Sequence, residues 1–420
     1  MRLSNLRVLK GSWAATAFAC TVVLGTQTSL RADDVPQKDL SPPAVAAPDT
    51  PSPAATISDP LAAEVQQAID VSSRRFLETE VHTPWQIVHG LLAYRRGYVV
   101  KQNGAKVNAL EWVASGPVYK DQPWFEKVPY GAHAHPYNNV PYAFQGHPNQ
   151  FMAYMTMCNL PLDYKFKTSS GETATISDFI NGAKMEVNDR EEITWTLWFL
   201  SHYIEPTAQW INKDGQPWSM ERLVQIENGK VVTSAACGGT HGLFALAYAR
   251  NAFRESGNNL YGAWFEADQK VQRYLEEARA NQNADGTFSS NYFQGPGYST
   301  DFVKRIGTTG HILEFVCVAV PQSRLHEDWV RRAVAALAHD LIEHRQAAAE
   351  CGALYHAVDG LSVYRTRMWP ELDPANRSRT AAKPVSPASS EAPPTKAVPA
   401  VAPVSTGEPT NGRASDAPVR

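Results

Sequence analysis

The sequence predicts an all-α fold built from about six pairs of inner and outer helices. Three observations lead there. Residues 237–254, CGGTHGLFALAYARNAFR, are apolar almost all round, the mark of a helix buried on every side. Residues 264–279 follow with a single apolar stripe, the mark of a helix lying over a core. The same succession of an apolar segment and a striped one recurs along the chain.

Taken in order, Asp59-Pro60 caps a striped helix over residues 61–80. The break at Thr83-Pro84 opens the first inner segment, 85–94, and residues 108–114 form a short outer helix. A long loop rich in Pro and aromatics, 116–146, precedes the second inner segment, 148–158. Residues 177–187 read as outer, 191–204 as the third inner helix and 218–226 as a weaker outer one. The fourth inner helix is 237–254, with 264–279 over it; the fifth is 307–320, followed by the charged, striped run 325–345. Residues 352–364 are the sixth.

The ends have a different character. Arg2, Arg7 and Lys10 precede an apolar run at 13–25, and Ala32 stands before two aspartates, the pattern of a cleaved secretory leader over residues 1–32. The run is too short for a spanning helix, so no integral membrane domain is expected once the leader is cleaved, and the uncleaved anchor is the alternative. The expected location is exported: periplasmic, secreted or surface-associated. Residues 33–60 and 373–420 are rich in Pro, Ala and Ser and bury too little to offset their ordering entropy, which leaves 61–372 as the folded part. A net charge of −3 and the lack of any basic block with interleaved aromatics exclude a nucleic-acid partner. Beyond the leader, Cys158, Cys237, Cys317 and Cys351 are too few and too scattered for a dense disulfide framework, which leaves room for one or two bridges of unspecified pairing.

Inner segments echo one another: His89-Gly90-Leu91, His241-Gly242-Leu243 and Asp359-Gly360-Leu361 each lead to a later Tyr, with Gly310-His311-Ile312 a looser copy. After residues 264–279 comes Gln282-Asn283-Ala284-Asp285-Gly286-Thr287-Phe288. This loop resembles the Q-x-x-D-G-x-aromatic turn of terpenoid cyclases, protein prenyltransferases and several toroidal polysaccharide lyases. Asp285-Gly286 would make the turn, Gln282 would tie the neighbouring helix and Phe288 would fill the gap between them. The resemblance implies an α/α toroid, in which polar residues at the starts of the inner helices surround one cavity. It does not bring the known activities with it. The Asp-x-Asp-Asp acid motif of terpenoid cyclases is absent, as is the Cys-His-Gly triplet of lanthionine cyclases.

At those starts stand His89, His147, Glu192, His241, His311, Cys351 and His356. Cys237 and His241, four apart on one expected helix face, suit a thiolate–imidazole zinc site that His311, Cys351 or His356 would complete. Two ligands alone do not define such a site, so a buried thiol beside a helix-start imidazole is the plainer reading. A lyase needs a Tyr or His to move a proton, and His135 and Tyr137 of the long loop are of that type, as are Tyr298, Asp301 and Arg305 before the fifth inner helix. The candidate catalytic residues are therefore His241, His311, His356, His135 and Tyr137, with Cys237 and His241 as metal ligands. Three functions follow: an exported toroid that binds a small-molecule or glycan ligand or acts as a scaffold, a carbohydrate-active lyase or hydrolase, and a zinc-dependent cyclase or transferase.

Overall fold

In the computed structural model the described residues are 59–135, 142–168 and 170–373. The expected leader, most of the linker at 33–60, Tyr137 and the tail after Asp373 lie outside them. Twelve α-helices follow one another in the described residues. They are α1 (Pro60–Ser73), α2 (Pro84–Tyr94), α3 (Ala109–Ala114), α4 (Gln150–Met155), α5 (Ile176–Glu186) and α6 (Thr194–Tyr203). The second half has α7 (Met220–Gly229), α8 (Thr240–Glu255), α9 (Gly262–Ala280), α10 (Phe302–Ala319), α11 (Asp328–Glu343) and α12 (Cys351–Met368).

Five of the even-numbered helices, α2, α4, α6, α10 and α12, are buried along most of their length, whereas α8, expected to be buried on every side, buries nine of its sixteen residues and exposes its C-terminal end. In α12 every residue from Gly352 to Arg365 is buried, and in α6 only His202 is not. Each packs on the next in a series that closes on itself: α2 on α4, α4 on α6, α6 on α8, α8 on α10, α10 on α12 and α12 on α2. The odd-numbered helices show one apolar face each and lie outside, α9 on α7 and α8, α11 on α10, and α1 on both α11 and α12. The buried apolar side chains form one cluster from Leu61 to Trp369. Close approach sets the tightest contact of the inner series. A Cβ on Gly310 would stand 2.6 Å from the Ala357 backbone, so α10 and α12 meet at a distance only glycine allows.

The all-α expectation needs correcting by five two-stranded antiparallel hairpins. They are β1 (Val99–Gln102) with β2 (Ala105–Asn108), β3 (Val118–Tyr119) with β4 (Gln122–Pro123), and β5 (Phe125–Val128) with β6 (Gly131–Ala134). The last two are β7 (Lys165–Lys167) with β8 (Thr173–Thr175), and β9 (Gln209–Ile211) with β10 (Pro217–Ser219). Three of the hairpins form a local repeat. Each lies between an inner and an outer helix, and its second strand ends on the residue that caps the outer helix: Asn108 for α3, Thr175 for α5 and Ser219 for α7. Each cap side chain accepts from a backbone N–H in the first turn, one of the four donors a helix start leaves unpaired. Within the expected long loop 116–146, β3 to β6 occupy residues 118–134.

Several boundaries move. Asp59 and Pro60 belong to the folded part: Asp59 caps α1 and pairs with Arg331 of α11 at 2.9 and 3.0 Å. The helix expected over 61–80 stops at Ser73, and the fifth inner helix begins at Phe302 rather than Gly307. The expected loop motif behaves as its residues suggest. Gln282 donates to the carbonyl of Trp329 in α11 at 2.7 Å, Asp285 accepts from Thr287, and Phe288 is buried near the Trp329 ring. Cys158, Cys237, Cys317 and Cys351 are all free thiols. No helix among the described residues is long and apolar enough to cross a membrane.

Candidate metal centre

Four histidines from four inner helices meet in one place: His89 of α2, His241 of α8, His311 of α10 and His356 of α12. Ring centroids lie 3.9 Å apart for His311 and His356, 5.1 Å for His241 and His356, and 5.2 Å for His241 and His311. His89 stands 5.5 Å from His356. Only His241 sits at a helix start. Because α10 and α12 begin upstream of the expected positions, His311 and His356 lie one to three turns inside their helices.

Helix geometry fixes two of these rings. The Nδ1 of His89 lies 2.6 Å from the Trp85 carbonyl, and that of His311 lies 2.6 Å from the Gly307 carbonyl, each four residues back. A carbonyl only accepts, so Nδ1 carries the proton in both rings and Nε2 presents a lone pair. Burial holds all four imidazoles neutral near pH 7, His89 at about 3 and His311 at about 4, with His241 and His356 well below the ordinary value. The Nε2 of His241 is enclosed and has no hydrogen-bond partner.

Behind His356 runs a buried polar chain. Its Nδ1 lies 2.8 and 2.9 Å from the two oxygens of Glu314, and its Nε2 lies 3.4 Å from the hydroxyl of Tyr154, which is also 3.3 Å from His89 Nε2. Glu314 borders Asp359, and Asp359 pairs with Arg95. Burial first, and then the neighbouring Asp359, push the Glu314 carboxyl well above its usual range. Asp359, also raised by burial, has Arg95 to hold its charge. Two carboxyls in contact are too close for the water or sugar that must stand between glycosidase carboxylates, so Glu314 and Asp359 are not such a pair.

Cys237 reaches the cluster by a route the sequence did not suggest. It does not lie on one helix face with His241, because α8 starts only at Thr240. Cys237, Gly238 and Gly239 are all left-handed, at φ of 50°, 62° and 77°. Glycine is required at the second and third positions: a Cβ on Gly238 would meet the Tyr292 ring at 2.3 Å, and one on Gly239 the Val232 carbonyl at 2.3 Å. The cysteine itself bears a strain of about 1–2 kcal/mol. This turn brings the Cys237 sulfur and one nitrogen each of His241 and His311 within 4.8 Å of one another. Zinc bonds of about 2.0–2.3 Å place tetrahedral ligand atoms roughly 3.3–3.8 Å apart, so a small inward movement closes the set. Burial holds the free thiol up at about 11, with Glu350 adding to it.

The remaining candidates lie elsewhere. His135, at the end of β6, stands 3.3 Å from Glu126 and packs on Phe144, away from the four histidines. Its neighbour His133 bridges Glu126 and Glu186 at 3.1 Å each. His147 pairs with Glu192 at 2.5 Å and stacks on Trp195, whose ring lies 4.8 Å from His241, so this pair borders the centre without joining it. Arg305 is a structural tie, bound to Asp340 of α11 and to Asp285 of the loop motif. Cys351, half-buried at the first turn of α12, is not in the three-ligand set. Sequence reading missed Tyr154, Glu314 and Arg95. The one available signal was Glu314 itself, a lone carboxylate inside the apolar run GHILEFVCVA.

No protein-family model matches the chain, and no curated protein or solved structure matches it either.

Proposed function

We propose that the chain is an exported α/α toroid that binds a thiophilic divalent metal, zinc foremost, at Cys237, His241 and His311, and acts through that centre. The closed series of inner helices supports the toroid, and the composition of residues 1–32 supports export. The observation that carries the metal is the convergence of three ligand atoms from two distant segments, one of them on a strained left-handed cysteine. The donor set is that of zinc: a thiolate and two imidazoles already neutral, one with its tautomer fixed by a backbone carbonyl. Cys237 and His241 are only half-buried, which leaves a side from which a fourth ligand can enter. Three protein ligands with an open position describe a catalytic rather than a structural zinc site. The bound ion would supply Lewis acidity to an oxygen or sulfur of that fourth ligand. Around it the protein offers the Tyr154 hydroxyl and the His356 imidazole, oriented by Glu314, as groups that pass on a proton.

Metal analysis of the full chain, purified without chelator and reconstituted with zinc, tests this. About one ion per chain is expected, lost in Cys237→Ser and in His241→Ala. Cobalt in its place should give a thiolate charge-transfer band that Cys237→Ser removes. Absence of stoichiometric metal, or unchanged occupancy in Cys237→Ser, would overturn the proposal.

A further inference from the structure

Two histidines of the cluster are not among the three metal ligands. His89 of α2 and His356 of α12 both direct Nε2 at the hydroxyl of Tyr154 in α4, at 3.3 and 3.4 Å. The three side chains come from three inner helices, and His89, His356 and Tyr154 are 1 %, 3 % and 0 % exposed.

Hydrogens are short at this point. The Nδ1 proton of His89 goes to the Trp85 carbonyl, so its Nε2 is a bare lone pair. The Nδ1 of His356 stands almost equally far from the two oxygens of Glu314, at 2.9 and 2.8 Å. That is the approach of an N–H donating to a carboxyl group, whose own proton faces Asp359. The Nε2 of His356 is then bare as well. Tyr154 has one hydrogen for two lone pairs, and Gln150, 3.4 Å away, adds a donor to the phenol oxygen but none to either ring. Both hydroxyl distances exceed the usual length of about 2.7–2.8 Å, so the phenol stands between the rings and is held closely by neither. One buried imidazole nitrogen therefore lacks a donor, which costs free energy until a positive centre reaches it.

Two imidazole lone pairs and a phenol oxygen are also a ligand set. Bonds of about 2.0–2.2 Å to nitrogen and oxygen place tetrahedral ligand atoms roughly 3.3–3.5 Å apart. Both edges that meet at Tyr154 already have that spacing. We infer that His89, Tyr154 and His356 hold a second divalent ion of the zinc type. On binding, the phenol gives its proton to solvent, and the phenolate oxygen and the two Nε2 atoms bond to the ion. The two sets share no residue, but His356 packs on His311 and His241 of the first, with ring centroids 3.9 and 5.1 Å apart. The second ion takes the place of the proton that Tyr154 and His356 otherwise pass on, so its occupancy and proton transfer exclude each other. That consequence rests on the proposed function; the site itself does not. The second ion binds more weakly than the first, because burial holds the phenol well above its ordinary value and the proton must still be displaced. A stoichiometric supply of zinc fills the first set, and an excess fills the second.

Zinc titration of the full chain, followed by metal analysis and near-ultraviolet difference absorbance, tests the site. One ion per chain is expected at stoichiometric zinc and two at excess, and the second brings the difference band of a metal-bound phenolate. Tyr154→Phe keeps the ring and removes the oxygen. It should abolish the band and weaken the second ion at least tenfold, since even an outer-shell partner of a ligand is worth about that much, while the first ion stays. His89→Asn removes Nε2 but leaves an amide to donate to the Trp85 carbonyl, and it should lose the second ion likewise. Saturation at one ion, a second ion without the phenolate band, or undiminished affinity for it in Tyr154→Phe would overturn the inference. The band in the parent chain decides without any variant, so a misfolded mutant does not leave the test open. Cys237→Ser separates the two sites, with one ion lost and the band retained. If Cys237→Ser loses no ion and the band persists, the first centre falls and this one stands.

Discussion

At the scale of single residues the molecule concentrates polar groups where its helices are most apolar. Glu314 and Asp359 are 5 % and 0 % exposed, and a buried carboxylate is tolerated only when paired or protonated. Arg95 settles the division between them: Asp359 carries the charge and Glu314 the proton. That assignment predicts the mutants. In Glu314→Gln the amide still accepts from His356 and donates to Asp359, so stability should fall by less than about 1 kcal/mol. Asp359→Ala removes the counter-ion and leaves Arg95 facing a cavity, at about 3 kcal/mol or more. Denaturant unfolding of the two variants checks both, and a larger loss for Glu314→Gln would mean that Glu314 is the ionised member. Glu314 was half legible in the sequence, as a charge in an apolar helix. Its partners were not, because Arg95, Tyr154 and His356 lie from tens to hundreds of residues away and meet it only through the packing of four helices.

At the scale of elements, the alternation of apolar and striped segments was legible because burial on all sides and burial on one side leave different periodicities. The hairpins were legible too, and were missed. Asn103-Gly104 is the dipeptide that two-residue hairpin turns favour and joins β1 directly to β2, and Asp214-Gly215 marks the five-residue loop 212–216 between β9 and β10. The strands are only three or four residues long, so the helical period on either side dominated the reading. The hairpin β5–β6 has its own titratable fastening. His133 stands between Glu126 on the paired strand and Glu186 at the end of α5, with His135 sharing Glu126. Burial lowers the pKa of His133, but the contacts with Glu186 and Glu126 outweigh it and the net shift is upward. A raised value means that the folded state holds the proton more tightly than the unfolded chain. The stabilisation is therefore complete below the unfolded value near 6.5 and is lost as pH rises through the higher folded value. Hydrogen exchange over residues 125–134, corrected for intrinsic rates, should show the hairpin opening more often at pH 8.5 than at pH 6. In His133→Gln that difference should vanish.

At the scale of the whole molecule the question is how a series of six inner helices closes. The first and last parts of the fold meet along one seam, where α1 lies on α11 and α12. Arg75 reaches the carbonyls of Ala347 and His344, Arg365 reaches Gln66, and Asp59 pairs with Arg331. The sequence placed Asp59 at the edge of a linker because its neighbours upstream are Pro- and Ala-rich; nothing local reveals a partner 272 residues on. Two roles meet in this one side chain, the cap of α1 and the ion pair across the seam, and Asp59→Asn separates them. Asparagine caps a helix as well as aspartate does but cannot form the ion pair. Arg331 holds the Asp59 carboxyl below its ordinary value, so the contribution of the pair is present above the unfolded value near 3.9 and is lost as pH falls through the lower folded value. Exchange of the α1 amides should therefore accelerate between pH 5 and pH 3 in the parent chain, after correction for intrinsic rates. In Asp59→Asn it should already be faster at pH 5 and change little below it. If the closure is cooperative, the α11 amides will follow those of α1 in both proteins. Acceleration of α1 alone would show that this helix is an appendage to α11 and α12 rather than part of one cooperative unit with them.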